Sequence, residues 1–132
     1  MGINAVLDKE ISDKVLVVDD DPDFLSNVSY ALKNAGFEIV EARQGLEAVD
    51  KYGEYKPKVV VLDIMLPKRS GLMVLEGMHK KSIDELPYVI MVTALDGRRH
   101  EMYAKSLFAN EYLRKPIEME KLVGLVDTYF KK

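Results

Sequence analysis

The chain has 132 residues, 48% of them hydrophobic and 31% charged, with a formal net charge of -3 and no cysteine. That length fits one domain around one core, and the missing thiols exclude disulfides, thiol catalysis and cysteine-based metal sites, as suits a reducing cytoplasm. No long block of like charge is present to bind nucleic acid, and no apolar stretch reaches the ~20 residues of a membrane span or resembles a signal peptide.

Residues 1–13 carry Ile3, Leu7 and Ile11 four apart and are read as a flexible extension ahead of a domain over 14–132. The first apolar run, Val15 to Val18, stops at Asp19 and Asp20. A helix follows, with Asp21 as its cap, Pro22 at its first position, Asp23 in its first turn and Phe24, Leu25, Val28 and Leu32 as its buried stripe, ending at Gly36. A second strand is predicted over about Phe37 to Val40 and a helix near Leu46 to Tyr52, before Pro57 introduces the run Val59 to Leu62, which closes at Asp63. Ser70-Gly71 opens a helix carrying Leu72, Val74, Leu75 and Met78. The run Val89 to Val92 stops at Thr93 and Ala94, and Asp96-Gly97 leads into a helix whose apolar positions include Met102, Tyr103 and Leu107. The short run Tyr112-Leu113 precedes Lys115-Pro116, and a last helix covers about Glu118 to Phe130 with Leu122, Leu125, Val126 and Tyr129 at helical spacing.

Five apolar runs alternating with amphipathic stretches give an α/β class: a flavodoxin-like, doubly wound, five-stranded parallel sheet in the order 2-1-3-4-5, with five helices on its two faces. In such a sheet the strand ends share one edge, where ligands bind. Asp19, Asp20, Asp63, Thr93 and Lys115 are then expected to converge. Taken singly, each has a plainer reading as a turn residue, a strand-end hydroxyl or a solvated charge; only the shared edge promotes them. His79 and His100 lack metal-ligand spacing and read as surface residues.

The acidic pair after the first strand, the lone Asp63 after the third, Thr93-Ala94 after the fourth and Lys115-Pro116 after the fifth resemble the receiver domain of two-component response regulators, over residues 14 to 130. The resemblance implies a switch, not an enzyme. On that resemblance, Asp63 is expected to take a phosphoryl group from a histidine kinase or phosphotransfer protein, Asp19, Asp20 and Asp63 to hold Mg2+, Asp20 directly and Asp19 through water, and Lys115 and Thr93 to contact the phosphoryl oxygens. Thr93 and Tyr112 form the switch pair, which alters the surface of the fourth helix, fifth strand and fifth helix toward a downstream protein, a surface including Arg98, Arg99, Tyr103 and Lys121. Around the acceptor, Lys68 and Arg69 add positive charge, and Met65 and Leu95 flank the path of an attacking water. Phe108 departs from the pattern, standing where members of the family have Gly, which makes Asn110 the candidate for the left-handed position at that helix end. Two other functions share parts of the pattern. A Mg2+-dependent phosphohydrolase with an aspartate nucleophile needs a general acid two residues on, where Met65 stands. A flavodoxin needs a phosphate loop that Asp19-Asp20-Asp21 repels. A receiver cut from a longer regulator is the remaining alternative.

Overall fold

A computed structural model describes residues 12–68, 70–81, 87–94, 98–106 and 109–131. The readings made for residues 1–11, Arg69, Leu95, Asp96-Gly97, Leu107 and Phe108 lie outside the described residues, as do the side chains of His79, Arg98, Arg99 and His100. In chain order the elements are β1 (Ser12–Val18), α1 (Pro22–Asn34), β2 (Glu38–Ala42), α2 (Gly45–Tyr55), β3 (Pro57–Leu62), α3 (Gly71–Lys81), β4 (Tyr88–Thr93), α4 (Arg98–Ser106), β5 (Glu111–Arg114) and α5 (Met119–Lys131). The strands form one parallel sheet in the order β2-β1-β3-β4-β5, as the alternation of runs predicts. No helix among the described residues is long and apolar enough to cross a membrane.

The central strands carry unbroken apolar runs, Val15–Val18, Val59–Leu62 and Val89–Val92, because helices cover both faces, and successive side chains feed two cores. Leu16, Val18, Val60, Leu62 and Met91 join residues of α2, α3 and α4, whereas Val15, Val17, Val59, Val61, Ile90 and Val92 join residues of α1 and α5. Register carries this layering to the carboxyl edge. Val18, Leu62, Met91 and Tyr112 lie at one level across β1, β3, β4 and β5, so Asp19 and Asp63 stand one residue above it, Thr93 two and Lys115 three.

Helix α1 begins as its sequence predicts: the Asp21 side chain accepts from the Asp23 amide at 3.0 Å, Pro22 opens the helix, and Gly36 follows it at φ 99°. Leu25, Val28 and Leu32 are buried, but Phe24 is only partly so. Strand β2 runs two residues further than predicted, to Ala42, and α2 extends from Gly45 to Tyr55 before Lys56 closes it in a left-handed conformation at φ 47°. In α4 the apolar reading of two positions is corrected, since Met102 is 65% and Tyr103 47% exposed and Ala104 is buried instead. A small side chain lets α4 approach the sheet closely, so its bulky neighbours are left on the outside. Asn110 is corrected as well: it is not among the residues of positive φ, and it works as an extra rung of the sheet, its amide donating to the Val89 carbonyl and its Oδ1 accepting from the Val89 amide, both at 2.8 Å.

At the opposite edge Tyr88 stacks on Tyr129 at 4.4 Å and donates to Glu111 at 3.1 Å. Burial, and then the Glu111 hydrogen bond and charge, push the Tyr88 hydroxyl up to about 12 from 10. An unfolded chain loses this proton near pH 10 and the folded one keeps it to about 12, so stability falls as pH rises across that window. Alkaline denaturation should therefore lose part of its pH dependence between these values in Tyr88→Phe.

Gly71 sets how closely α3 approaches the end of β3. A Cβ built there would lie 2.0 Å from the Asp63 carbonyl oxygen and 2.8 Å from the Ile64 Cα, both backbone atoms with no side-chain freedom to yield. Gly71→Ala should therefore destabilise by about 3 kcal/mol, through forced backbone displacement. The midpoint of a denaturant titration read at unchanged slope measures it.

Candidate functional site

The turns after β1, β3 and β5 are tied back into the sheet, which fixes Asp19, Asp63 and Lys115 at their backbone before any side-chain contact forms. The Asp19 amide donates to the Ala42 carbonyl and the Asp63 amide to the Val18 carbonyl, each at 3.1 Å, and the Lys115 amide donates to the Thr93 carbonyl at 2.8 Å. These bonds extend the parallel ladders by one residue. Lys115 then turns into a cis bond to Pro116.

Asp19 and Asp63 are buried to 1% and 5% exposure, and Asp20 is exposed beside them. One oxygen of each buried carboxylate is held by a local amide: Asp19 Oδ1 accepts from Asp21 at 2.9 Å and Asp63 Oδ1 from Met65 at 3.0 Å. The other oxygens share one cation, since Lys115 Nζ donates to Asp19 Oδ2 at 2.7 Å and to Asp63 Oδ2 at 3.1 Å. The same ammonium lies 4.1 Å from the centroid of the Phe24 ring. Thr93 is fully buried at the end of β4.

The electrostatics follow from packing like charges out of water. Burial raises the Asp19 carboxyl above its usual range, and the Asp63 charge adds to this, against the Lys115 and Asp21 hydrogen bonds, which lower it. For Lys115, burial acts to lower the ammonium, but the Asp19 hydrogen bond and the charges of Asp63 and Asp19 outweigh it, so its affinity for the proton is raised. Lys115 stays charged. The structure thus brings together Asp19, Asp20, Asp63 and Lys115 as expected, with Thr93 on the next strand.

One carboxylate oxygen from each of Asp19, Asp20 and Asp63 lies within 4.8 Å of the other two, which makes a compact all-oxygen donor set. A hard divalent cation that keeps most of its water suits such a set, because an exposed carboxylate, Asp20, stands beside two buried ones.

Tyr112 lies at the level of Met91, two residues below Thr93, and so projects to the same face of the sheet as Thr93. Its ring packs against the core on that side, which includes Ala104 of α4, and its hydroxyl oxygen is buried. Thr93 and Tyr112 therefore lie on one face of the sheet, beside α4. Phe24, which periodicity places in the core stripe of α1, is also a neighbour of the site, and no pattern in the chain announces that its ring meets Lys115.

Known proteins share this fold. The chain is similar to the CheY-like receiver domain protein of Methanospirillum hungatei JF-1, with 25% identity, a TM-score of 0.84 and coverage of 90% of this chain and 94% of that one. It is similar to the chemotaxis protein CheY4 of Vibrio cholerae, with 27% identity, a TM-score of 0.81 and coverage of 87% and 96%. A third similar structure is the CheX-CheY complex of Borrelia burgdorferi with BeF3 and magnesium, with 29% identity, a TM-score of 0.83 and coverage of 96% and 95%. The family model described as "Response regulator receiver domain" matches residues 15–127, and the chain belongs to that family.

Proposed function

We propose that this receiver domain is a cytoplasmic phosphoacceptor switch in which Asp63 accepts a phosphoryl group from a histidine kinase or a phosphotransfer protein. The observation that carries the reading is the placement of Asp63: its Oδ2 faces the Lys115 ammonium at 3.1 Å while Oδ1 is pinned by the Met65 amide. A carboxylate oxygen held in this way is oriented to attack phosphorus. One P–O bond forms to Asp63 as the bond from phosphorus to the donor atom breaks, and the leaving group departs with that electron pair. The product is a mixed anhydride on Asp63.

Lys115 is suited to follow the charge. Its ammonium already bridges Asp19 and Asp63, so a small shift moves it from a carboxylate oxygen to a phosphoryl oxygen. Thr93 stands on the neighbouring strand as the hydroxyl donor to the same group. Asp19, Asp20 and Asp63 are the residues that would hold Mg2+, with Asp20 the direct ligand among the pair, and the ion when bound supplies positive charge against the phosphoryl oxygens.

Met65 argues against a phosphohydrolase, because the residue two beyond Asp63 offers the site its amide and no ionisable side chain. Readout is assigned to Thr93 and Tyr112, supported by their common sheet face beside α4. The surface this pair would alter displays Tyr103 and Met102 on α4 and Lys121 on α5, all exposed, and a downstream protein is its proposed reader.

Incubation with magnesium and acetyl phosphate should add one phosphoryl mass to the protein, and Asp63→Asn should abolish it in intact-protein mass spectrometry. Labelling that persists in the variant would move the nucleophile elsewhere.

Millimolar magnesium should also raise the thermal midpoint, because a ligand that binds only the folded state stabilises it by mass action. Asp20→Asn should remove most of that rise. A wild-type midpoint indifferent to magnesium would rule out the carboxylate set as a metal site.

A further inference from the structure

We propose that Phe24 is a positioning residue of this site, its ring face holding the Lys115 ammonium over Asp19 and Asp63; the inference rests on the proposed phosphoacceptor reading.

An ammonium has three N–H bonds and sits at the end of a flexible four-carbon stem. In Lys115, two contacts are fixed, to Asp19 Oδ2 at 2.7 Å and Asp63 Oδ2 at 3.1 Å. Phe24 supplies a third, with Nζ 4.1 Å from its ring centroid, well inside the ~6 Å within which a cation is drawn to an aromatic face. The Lys115 side chain is only 20% exposed, so the attraction acts on a largely desolvated charge. That is the regime in which it is strongest.

The ring is itself well placed to act as a fixed wall. Phe24 lies in the first turn of α1, three residues after Asp21, whose side chain caps the helix, and two after Pro22, which presets the helical backbone. Asp21 also donates its amide to Asp19 Oδ1. One short segment therefore sets the ring, the cap and one of the two carboxylates that Lys115 bridges. Leu25, Val28 and Leu32 are fully packed in the core below, and Phe24 is only partly buried against it, which leaves its face for the lysine.

A ring in this position narrows the arc through which the ammonium swings. Without it, the stem is free to carry Nζ toward solvent or toward exposed Asp20, away from the place where the phosphoryl oxygens would sit. Phe24 touches neither the donor nor the phosphoryl group in this scheme, and acts only through Lys115.

The test is a double-mutant cycle on phosphorylation by acetyl phosphate, joined to a spectroscopic measurement. Phe24→Leu, which keeps apolar volume and removes the ring, should slow labelling by about 2-fold to 30-fold, the range a cation–π contact corresponds to, with a denaturant midpoint close to wild type. Phe24→Tyr should restore the rate. In a Lys115→Met background, Phe24→Leu should cause no further loss. In the NMR spectrum of the wild type, the ε-methylene protons of Lys115 should be shifted upfield by the ring current, and this shift should vanish in Phe24→Leu and survive in Phe24→Tyr. Slowing of equal size with and without Lys115 would overturn the proposal, as would ε-methylene protons at ordinary positions in the wild type. Failure of the underlying reading looks different: Lys115→Met would then label at the wild-type rate, or Asp63→Asn would still be labelled, and either result removes the function that Phe24 is proposed to serve.

Discussion

Two carboxylates buried side by side need a cation to hold them, and the ammonium of Lys115, bridging Asp19 and Asp63, is the interaction on which the geometry of this site depends. Taking either acid out of water unpaired would be opposed by desolvation and by repulsion from the other. The sheet order makes the bridge a tie across four of the five strand ends, since β3 and β4 separate β5, which ends just before Lys115, from β1, which ends just before Asp19. Removing the ammonium would leave two charges facing each other at the floor of the site, so the lysine has a structural duty in the resting protein that is separate from any later contact with a phosphoryl group.

The parallel ladders turn a one-dimensional spacing into a staircase. Asp19 and Asp63 share a level, and Thr93 and Lys115 stand one and two steps above them on the next strands. The floor is acidic and the rising side wall carries a hydroxyl and an ammonium. Such a site is graded in charge from the β1 side to the β5 side. The sheet also sorts the residues by face: Thr93 and Tyr112 fall on the side of α4, whereas Phe24, in α1, packs with the core of the other side. The two layers meet at the strand ends, beside Asp19 and Asp63.

Much of this was legible in the chain because it depends on short patterns. Apolar runs of four ending in Asp19, Asp63 and Thr93 announce buried parallel strands and their functional edge, and Asp21-Pro22 announces a helix start. What was not legible depends on how elements pack. Periodicity placed Met102 and Tyr103 among the apolar positions of α4, but the helix turns small Ala104 to the sheet, and Tyr103 instead donates to Glu76 of α3 at 3.1 Å. Asn110 reads as a left-handed cap, since that is a common use of the residue, but it bonds to Val89 across the sheet, one residue before β5 begins. The contact of Phe24 with Lys115 joins residues far apart in sequence, and neither carries a local signal of the other.

The approach of Gly71 to the Asp63 carbonyl bears on how this chain can change over evolutionary time. Its amide also donates to the Ile64 carbonyl at 2.8 Å, so α3 starts by resting directly on the main chain of the turn that carries Asp63. Side chains elsewhere in the core can be exchanged one for another when their neighbours repack, but a main chain pressed on a main chain has nothing to repack. Any single replacement at position 71 therefore has to displace the Asp63 turn, and a lineage that kept one without loss of stability would have to rebuild the end of β3 and the entry to α3 together.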